Sequence, residues 1–457
     1  MPSSSSLPAT RRRVLRALAG ATTVAAGGAT AGCLDGFRSR VARPGIAWPG
    51  FMGGPGRTAW RDAATGPTTA PGEAARWEFD NGVVSTHVPN PAVADGVAYV
   101  ATPWSDADAE ENRLTVAAVD VASASARWTT TVPTSATAIE PPGATAVTDD
   151  LVLAGSVYAA VALERETGDV RWRTDHGLPM PAVRGDGVLA LGRAEADEHA
   201  FAWLDRDDGS VQWTIPFDLF EDGRPVGRTP VASVDAERAY VLQRDRLVAF
   251  ERGTGDETWT HRFDATDATP SHRAAAVRDG RAYVALSRPS TGRGDDERAP
   301  SRVVALDTTT GNAAWTRRVG TTDATYAASN PAVGPGVVLV AGSDGPEPDD
   351  SSDDADTPPE SVVVALDARS GDVRWRLDVD DPLGRTLLVD GTRAYVARTG
   401  PRQASVTQSA VHAISIPDRA TAWRTSPRTG DVPLAAIGSG HSLLGADRRE
   451  ADLRTYR

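Results

Sequence analysis

The sequence predicts an all-β fold, an eight-bladed β-propeller of four-stranded antiparallel blades, and three observations support that prediction. An eleven-residue segment ending in tryptophan occurs eight times, once in degenerate form. Six of the copies follow a pair of short apolar segments joined by a tight turn, and the repeats continue to the C-terminus. Successive tryptophans lie 41 to 60 residues apart, a period typical of propellers and solenoids. The antiparallel turns favour the propeller.

The recurring segment is expected to form strands C and D of each blade. It reads ALDTTTGNAAW at 305–315 and ALDARSGDVRW at 365–375. The acidic residue eight positions before the tryptophan can accept backbone N–H bonds across the C–D turn, and the glycine four positions before it suits a left-handed conformation. The tryptophan is expected to pack between neighbouring blades. The eight tryptophans are Trp77, Trp128, Trp172, Trp213, Trp259, Trp315, Trp375 and Trp423.

The segment upstream of each copy predicts strands A and B. Segments such as NPAVADGVAYV place Asp-Gly between two apolar runs, and this pair readily adopts the positive φ angles of a tight hairpin. We expect such turns at 95–96, 186–187, 279–280 and 390–391.

The two ends of the chain are expected to share the eighth blade. The segment around Trp77 supplies a lone strand D, while residues 432–457 supply strands A, B and C without a tryptophan. Joining them in one sheet hides edges that would otherwise be open. The predicted domains are an export segment at 1–32, a linker and lead-in segment at 33–71, and the propeller at 72–457.

The N-terminus predicts an exported lipoprotein. A basic cluster precedes a short apolar run, and Arg12 and Arg13 fit a twin-arginine signal. The sole cysteine, Cys33, ends this run in Thr-Ala-Gly-Cys, which resembles a lipobox; a free thiol within a cleaved peptide is the alternative. We expect lipid on Cys33 to anchor the protein to the outer face of the cytoplasmic membrane.

The composition narrows the class of protein. The chain has 61 acidic residues against 48 basic ones, and all of the basic residues are arginine. A surface of this kind favours a halophilic, haloarchaeal origin. A net charge of −13 argues against nucleic acid as a partner, because a surface that binds phosphates must be basic.

The pattern A-[LFV]-[DE]-x-x-[TSD]-G-x-x-x-W resembles the pyrroloquinoline-quinone (PQQ) repeat family over about 385 residues. Trp48-Pro49-Gly50-Phe51, followed by Arg57-Thr58, is similar to the segment that precedes such propellers in exported archaeal members. The family includes quinone-using dehydrogenases and the BamB-like lipoproteins of outer-membrane barrel assembly, which bind no quinone. The resemblance therefore implies either a redox enzyme or a protein-binding scaffold.

One face of the propeller is expected to carry the binding site. The A–B and C–D turns are uniformly short and form what we call the short-turn face. The B–C and D–A loops form the opposite, long-loop face, with insertions at 102–113, 215–228, 288–301 and 342–361. Loops on a rigid scaffold commonly carry binding residues. The candidates from the D–A loops are Phe217, Phe220, Arg224, Arg228, His272, Tyr326 and Arg385.

The sequence favours a binding protein over an enzyme. The dehydrogenases of the resembled family use adjacent cysteines beside the quinone, together with calcium, and Cys33 stands alone here. The seven histidines show no metal-ligand spacing. The acidic loop at 343–360 lacks the spacing of a calcium loop. We therefore expect no catalytic residues, no metal and no cofactor, although distant loops could still assemble sites for PQQ and calcium.

Three functions stay open at this stage. The first is a monomeric, membrane-anchored scaffold that binds an unidentified protein on its long-loop face. The second is a PQQ-dependent dehydrogenase with its cofactor in the central channel. The third is an extracellular glycan-binding module, which would need exposed aromatic rings; Trp104 and Trp203 are the repeat-region tryptophans outside the recurring frame.

Overall fold

The computed structural model divides the chain into two compact units, Met1–Val41 and Ala42–Arg457. Every described residue belongs to the second unit, so the predicted signal residues Arg12 and Arg13 and the predicted lipid site Cys33 lie outside the described residues. In the described part of the chain, no helix has the length and apolarity needed to cross a bilayer. The structure describes residues 46–62, 66–78, 90–104, 112–134, 144–156, 159–178, 181–193, 199–217, 220–221, 224–225, 231–243, 245–264, 269–270, 274–287, 301–319, 325–344, 360–379, 383–398, 408–425, 428–429, 434–438, 443–447 and 452–456.

Eight antiparallel sheets, each with strands in the order A–B–C–D, confirm the predicted propeller. In at least seven of the eight neighbouring pairs of blades the strands A contact one another, so they surround the axis. In blades 1 to 4 the strands are Ala92–Ala94, Val97–Trp104, Asn112–Asp120 and Ser125–Thr134; Ala146–Val147, Leu151–Gly155, Ala160–Glu164 and Val170–Thr174; Ala182–Arg184, Gly187–Arg193, His199–Asp205 and Val211–Phe217; and Ala232–Val234, Arg238–Leu242, Arg246–Glu251 and Glu257–Arg262.

In blades 5 and 6, strand A comes in two pieces. The strands of blades 5 to 8 are Thr269–Pro270 with Ala276–Arg278, Arg281–Ser287, Arg302–Asp307 and Ala313–Arg318; Thr325–Ala328 with Ala332–Gly334, Val337–Asp344, Glu360–Asp367 and Val373–Val379; Leu383–Val389, Arg393–Arg398, Val411–Ser415 and Ala420–Arg424; and Leu434–Ile437, Leu443–Asp447, Asp452–Tyr456 and Glu73–Glu78. The remaining elements are strand Ile46–Trp48, the 3-10 helix Phe51–Gly53, and the short pairs Phe220–Glu221 with Arg224–Pro225 and Gln408–Ser409 with Arg428–Thr429.

The eighth blade is shared by the two ends of the propeller, as predicted. Its strand D comes from the N-terminal side and pairs antiparallel with the C-terminal strand C, with Glu73 opposite Tyr456 and Trp77 opposite Leu453. This pairing closes the ring inside one sheet, so neither terminal strand is left as an open edge.

The A–B turns follow the prediction in two blades and differ from it in two others. Asp95 and Gly96 both have positive φ, as do Asp279 and Gly280. In blade 3 the positive φ falls on Gly185, because Arg184 already pairs with Gly187, which begins strand B. The prediction of a turn at 186–187 was therefore wrong by one residue. In the turn at 390–391 only Gly391 has positive φ.

The C–D turns are held by their acidic residue. Asp367 accepts the backbone N–H groups of Arg369 and Ser370, both at 2.9 Å, and its second oxygen accepts Arg374 at 2.7 Å. Asp120, Asp205 and Asp307 accept turn N–H groups in the same way. The hydrogen bond from Arg374 and those from the turn lower the pKa of Asp367 to about 2. These carboxylates are therefore turn-forming groups.

The recurring tryptophan joins each blade to the next one. In blades 1 to 5 its Nε1–H donates to a backbone carbonyl in the C–D turn of the following blade. Its ring lies over the turn glycine of that blade, where a Cβ atom would stand 2.6 to 2.8 Å from the indole. The pairs are Trp128 with Gly168, Trp172 with Gly209, Trp213 with Gly255, Trp259 with Gly311, and Trp315 with Gly371. The glycine is thus required both by its positive φ and by this contact.

A second aromatic residue supports the tryptophan, and the sequence analysis assigned it no role. In four blades a tyrosine on strand B packs against the tryptophan of the same blade, with ring centroids 5.9 to 6.1 Å apart. The signal was available, because Ala-Tyr-Val recurs at the start of strand B. These tyrosines are Tyr99, Tyr240, Tyr283 and Tyr395.

Three of the predicted loop boundaries were wrong, one of them at 215, where strand D of blade 3 continues to Phe217. Strands B and C of blade 1 stay paired as far as Trp104 and Arg113, and those of blade 6 as far as Asp344 and Glu360. The prediction placed loops at 102–113 and 342–361 because polar residues begin there. Each further pair of the ladder satisfies backbone N–H and C=O groups whatever the side chains are, so the strands continue.

Candidate functional site

The hub is the space enclosed by the eight strands A, and the chain fills its short-turn end with its own residues. We call residues 46–62 the hub segment. Its first strand pairs with strand A of blade 1, with Ile46 opposite Ala94 and Trp48 opposite Val93. The segment then passes from blade to blade in chain order. Trp48, Ala59 and Trp60 are buried within it.

Backbone hydrogen bonds attach the hub segment to the inner edge of five further blades. In each case a valine near the end of strand A donates its N–H to a carbonyl of the hub segment. The pairs are Val147 to Pro49 (2.9 Å), Val234 to Pro55 (2.8 Å), Val277 to Gly56 (2.7 Å), Val333 to Thr58 (2.8 Å) and Val389 to Ala59 (2.9 Å). The segment therefore satisfies N–H groups that the innermost strands would otherwise present to the axis.

Arg57 connects the hub segment to blades 3 and 4. Its guanidinium donates to the carbonyls of Pro181 (3.1 Å), Ala232 (3.1 Å) and Phe51 (3.0 Å). The side chain is 1% exposed, and burial lowers its pKa to about 9, which still leaves it charged at neutral pH. A fork with several donors suits this position, because three carbonyls converge there from three directions.

The hub segment fits so closely that glycine is required at two contacts. A Cβ atom on Gly56 would lie 2.6 Å from the carbonyl oxygen of Val277. A Cβ atom on Gly334, in strand A of blade 6, would overlap the ring of Trp60. The indole of Trp60 also donates to Asp62 at 2.7 Å. These contacts fix the position of the segment in the hub.

A second part of the lead-in, Gly66 and Pro67, fastens blade 7. The indole of Trp423 donates to the Pro67 carbonyl at 3.1 Å, and Gly66 donates its N–H to Asp390 at 3.1 Å. Asp390 also accepts the Tyr395 hydroxyl at 2.8 Å. Burial, together with this carboxylate, raises the pKa of Tyr395. The region predicted as a linker and lead-in at 33–71 thus includes residues that are an integral part of the propeller.

The described part of the hub does not fit a quinone. Trp48, Arg57 and Trp60 are buried there, and the cavity left between the hub segment and blades 2 and 3, about 140 Å³, is lined by Pro, Gly, Ala, Val and Thr residues, so its lining offers no charged side chain to the carboxylates of the quinone. Among the described residues, no three His, Cys, Asp or Glu side chains are placed to hold a metal ion together. We therefore derive no redox step through such a group.

The predicted residues of the long-loop face fall into two groups. Phe217 ends strand D of blade 3, and Phe220 and Arg224 lie on the short hairpin that follows it. Tyr326 and Arg385 lie on strands A of blades 6 and 7, two neighbouring blades at the hub. Arg228 and His272 lie outside the described residues. The structure thus places three of these residues beside blade 3 and two at the axis.

Of the two repeat-region tryptophans outside the recurring frame, the structure describes the side chain of Trp203, and this side chain is not exposed. Trp203 is 6% exposed and stacks on Trp213, with ring centroids 6.1 Å apart. The guanidinium carbon of Arg252 in blade 4 lies over the Trp203 ring, 5.6 Å from its centroid. An exposed aromatic platform for a sugar ring, which a glycan-binding module would need, is therefore absent at this position. The side chain of Trp104 lies outside the described residues.

Comparison with known proteins places these features in a family. The family model of the outer membrane protein assembly factor BamB matches residues 54–190, 196–346 and 358–449, which is more than half of the chain. The match begins within the hub segment. No curated protein sequence matches the chain.

Solved structures share the fold at low sequence identity. BamB from Moraxella catarrhalis is 15% identical, with a TM-score of 0.51, over 85% of this chain and 99% of that one. The quinohemoprotein alcohol dehydrogenase from Comamonas testosteroni is 14% identical, with a TM-score of 0.57, over 92% of this chain and 81% of that one. A europium-containing methanol dehydrogenase is 13% identical, with a TM-score of 0.57, over 90% and 89%. These likenesses establish the fold alone.

Proposed function

The chain belongs to the family of the outer membrane protein assembly factor BamB, and from that membership we propose that it is an exported scaffold that binds another protein. The proposal includes a lipid anchor on Cys33 at the outer face of the cytoplasmic membrane, a monomeric state and no catalytic activity.

The filled hub is the observation that carries this proposal. Trp48, Arg57 and Trp60 are buried in the hub, and six blades bond to the backbone of the hub segment at the level of the strand A ends. Because the hub segment occupies this end of the hub, the surface that varies between repeats is formed by the loops. The B–C and D–A connections hold nearly all of the length variation between repeats. The long-loop face is therefore the surface we assign to the partner.

We assign the candidate contact residues to that face. Phe217, Phe220 and Arg224 lie together beside blade 3, where aromatic and arginine side chains are typical of protein-binding hot spots. Tyr326 and Arg385 form the second group, at the axis. We assign the first group to the partner's main contact, because two of its residues lie on a two-stranded hairpin of their own, separate from the four-stranded sheet of blade 3.

Site-specific photo-crosslinking in living cells tests this assignment. A photoreactive residue replaces Phe220 in one variant and Ala122, an exposed residue of a C–D turn on the short-turn face, in the other. We expect one defined protein to be crosslinked from position 220 and not from 122. The charge-reversal variant Arg224→Glu should weaken that adduct. Equal crosslinking from both positions would overturn the assignment.

A quinone-dependent dehydrogenase is the second candidate, favoured by the two dehydrogenases among the structural neighbours. Calorimetric titration of PQQ with calcium into the full-length protein in high salt, paired with a dye-linked dehydrogenase assay, separates the two candidates. We expect neither binding nor turnover. Micromolar binding with turnover would replace the scaffold by an enzyme.

A further inference from the structure

The chain enters the propeller through the short-turn end of the hub. Strand A of blade 1 runs toward the turn Asp95–Gly96, which belongs to the short-turn face. The strand Ile46–Trp48 runs antiparallel to it, so that Ile46 lies opposite Ala94, next to this turn, and Trp48 lies deeper, opposite Val93. Read backward from Trp48 to Ile46, the described backbone therefore runs toward the short-turn face.

The length of chain before Ile46 limits where an anchor can be. Thirteen peptide steps separate Cys33 from Ile46, and a fully extended chain of that length spans about 45 Å. To reach the long-loop side around blade 1, the chain would first cross three strand spacings, about 15 Å. It would then run along strand D, Ser125–Thr134, which is about 30 Å long. This path uses the entire reach before the chain passes the loops.

We propose that the short-turn face of the propeller is turned toward the lipid membrane and that the long-loop face points away from it. The inference rests on the lipid anchor and the partner face of the proposed function. With the short-turn face toward the bilayer, the tether can be short and need not cross a blade. The partner then meets the long-loop face on the side away from the lipid.

The short-turn face is held there by the tether and not by adhesion to lipid. Its C–D turns carry the acidic residues Asp120, Glu164, Asp205, Glu251, Asp307 and Asp367. Carboxylates are repelled by anionic lipid headgroups, although high salt screens this repulsion to within a few ångströms. A form without the lipid should therefore not bind to vesicles.

Energy transfer from a dye on the protein to acceptor lipids tests the orientation. In the lipidated full-length protein, acylated Cys33 has no free thiol, so an introduced cysteine is the only site for the dye. Ala122→Cys labels the short-turn end of blade 1, and Pro133→Cys labels the far end of strand D in the same blade; both residues are exposed. The two positions differ in height by about 30 Å. The vesicles contain phosphatidylglycerol and are kept in high salt.

The expected result is transfer several-fold higher from position 122 than from position 133. Equal transfer, which means that the propeller lies on its edge, or higher transfer from 133 would overturn the proposed orientation while leaving the anchor intact. Cys33→Ser, labelled at the same introduced cysteines, should stay in the supernatant. If it sediments with vesicles as the lipidated protein does, the anchor itself is wrong, and the proposed function fails separately from the orientation.

Discussion

The indole Nε1 of Trp423 donates to the carbonyl oxygen of Pro67 at 3.1 Å, across 356 residues of sequence. In blades 1 to 5 the corresponding acceptor is a carbonyl in the C–D turn of the next blade. Blade 8 has no such turn, because its strands C and D are the two ends of the propeller. The lead-in segment therefore supplies the acceptor that the closure of the ring removes.

Gly66→Ala should weaken this closure. A methyl group on Gly66 would overlap the Tyr395 hydroxyl and displace Pro67 from Trp423. We expect a loss of about 1–3 kcal/mol in the free energy of unfolding, measured by urea unfolding in high salt. Gly72→Ala is the matched control, since nothing lies within 4 Å of its Cβ position. Equal stability of the two variants would show that Pro67 contributes nothing to closure.

Gly255→Ala should show that the turn glycine is needed at the contact between blades. Gly255 has a φ of +76°, and its Cβ position lies 2.8 Å from the ring of Trp213. Left-handed backbone and overpacking together should cost about 2–4 kcal/mol. Gly253→Ala, in the same turn and with open space around its Cβ position, should stay within about 0.5 kcal/mol of wild type. Thermal unfolding of both variants measures the difference, and a neutral Gly255→Ala would contradict the packing argument.

Arg57→Met should lower the free energy of unfolding by more than the change in side-chain volume alone would. The substitution keeps an unbranched apolar stem but removes the donors from the carbonyls of Phe51, Pro181 and Ala232. Leaving buried acceptors without these donors should cost about 3 kcal/mol. Arg57→Lys keeps the charge with fewer donors and should recover part of the loss. If Met and Lys behave alike in urea unfolding, charge and hydrogen bonding at this position do not hold the hub.

Asp367→Asn should reduce the loss of stability in acid. The pKa of Asp367 is lowered from 3.8 to about 2 in the folded protein. A carboxylate whose pKa is lowered by folding adds stability above its unfolded pKa and loses it as the pH falls through its folded pKa, here between about 4 and 2. Because the side chain is 30% exposed, the effect should be a few tenths of a kcal/mol to about 1 kcal/mol.

The measurement for this prediction is the unfolding midpoint across pH 2 to 5 for wild type and two variants. Asp367→Asn keeps an oxygen for the turn N–H groups but cannot titrate. Arg374→Gln removes the group that contributes most to lowering the pKa. The unfolding midpoints of both variants should fall less steeply than that of wild type as the pH is lowered. Three parallel curves would mean that Asp367 contributes no pH dependence.

Much of the fold could be predicted because each blade repeats the same local sequence pattern. The tryptophan, the acidic turn residue and the turn glycine recur at fixed spacing, and each satisfies a local need for ring packing, N–H acceptors or positive φ. Strand ends were predicted less well, as at Trp104 and Asp344, because ladder pairing depends on the partner strand and not on side-chain polarity. The loop candidates Arg228 and His272 stay predictions.

The sequence by itself determined the number of blades, the closing blade and the chemistry of the C–D turns, because these depend on residues close together in the chain and on counting repeats. Only the tertiary structure decided what fills the hub. Pro49, Gly56 and Ala59 give no local signal of their partners, since the valines that bond to them lie 98 to 330 residues away. An axis where eight strands converge gathers contacts from the whole chain, and no window of sequence contains them.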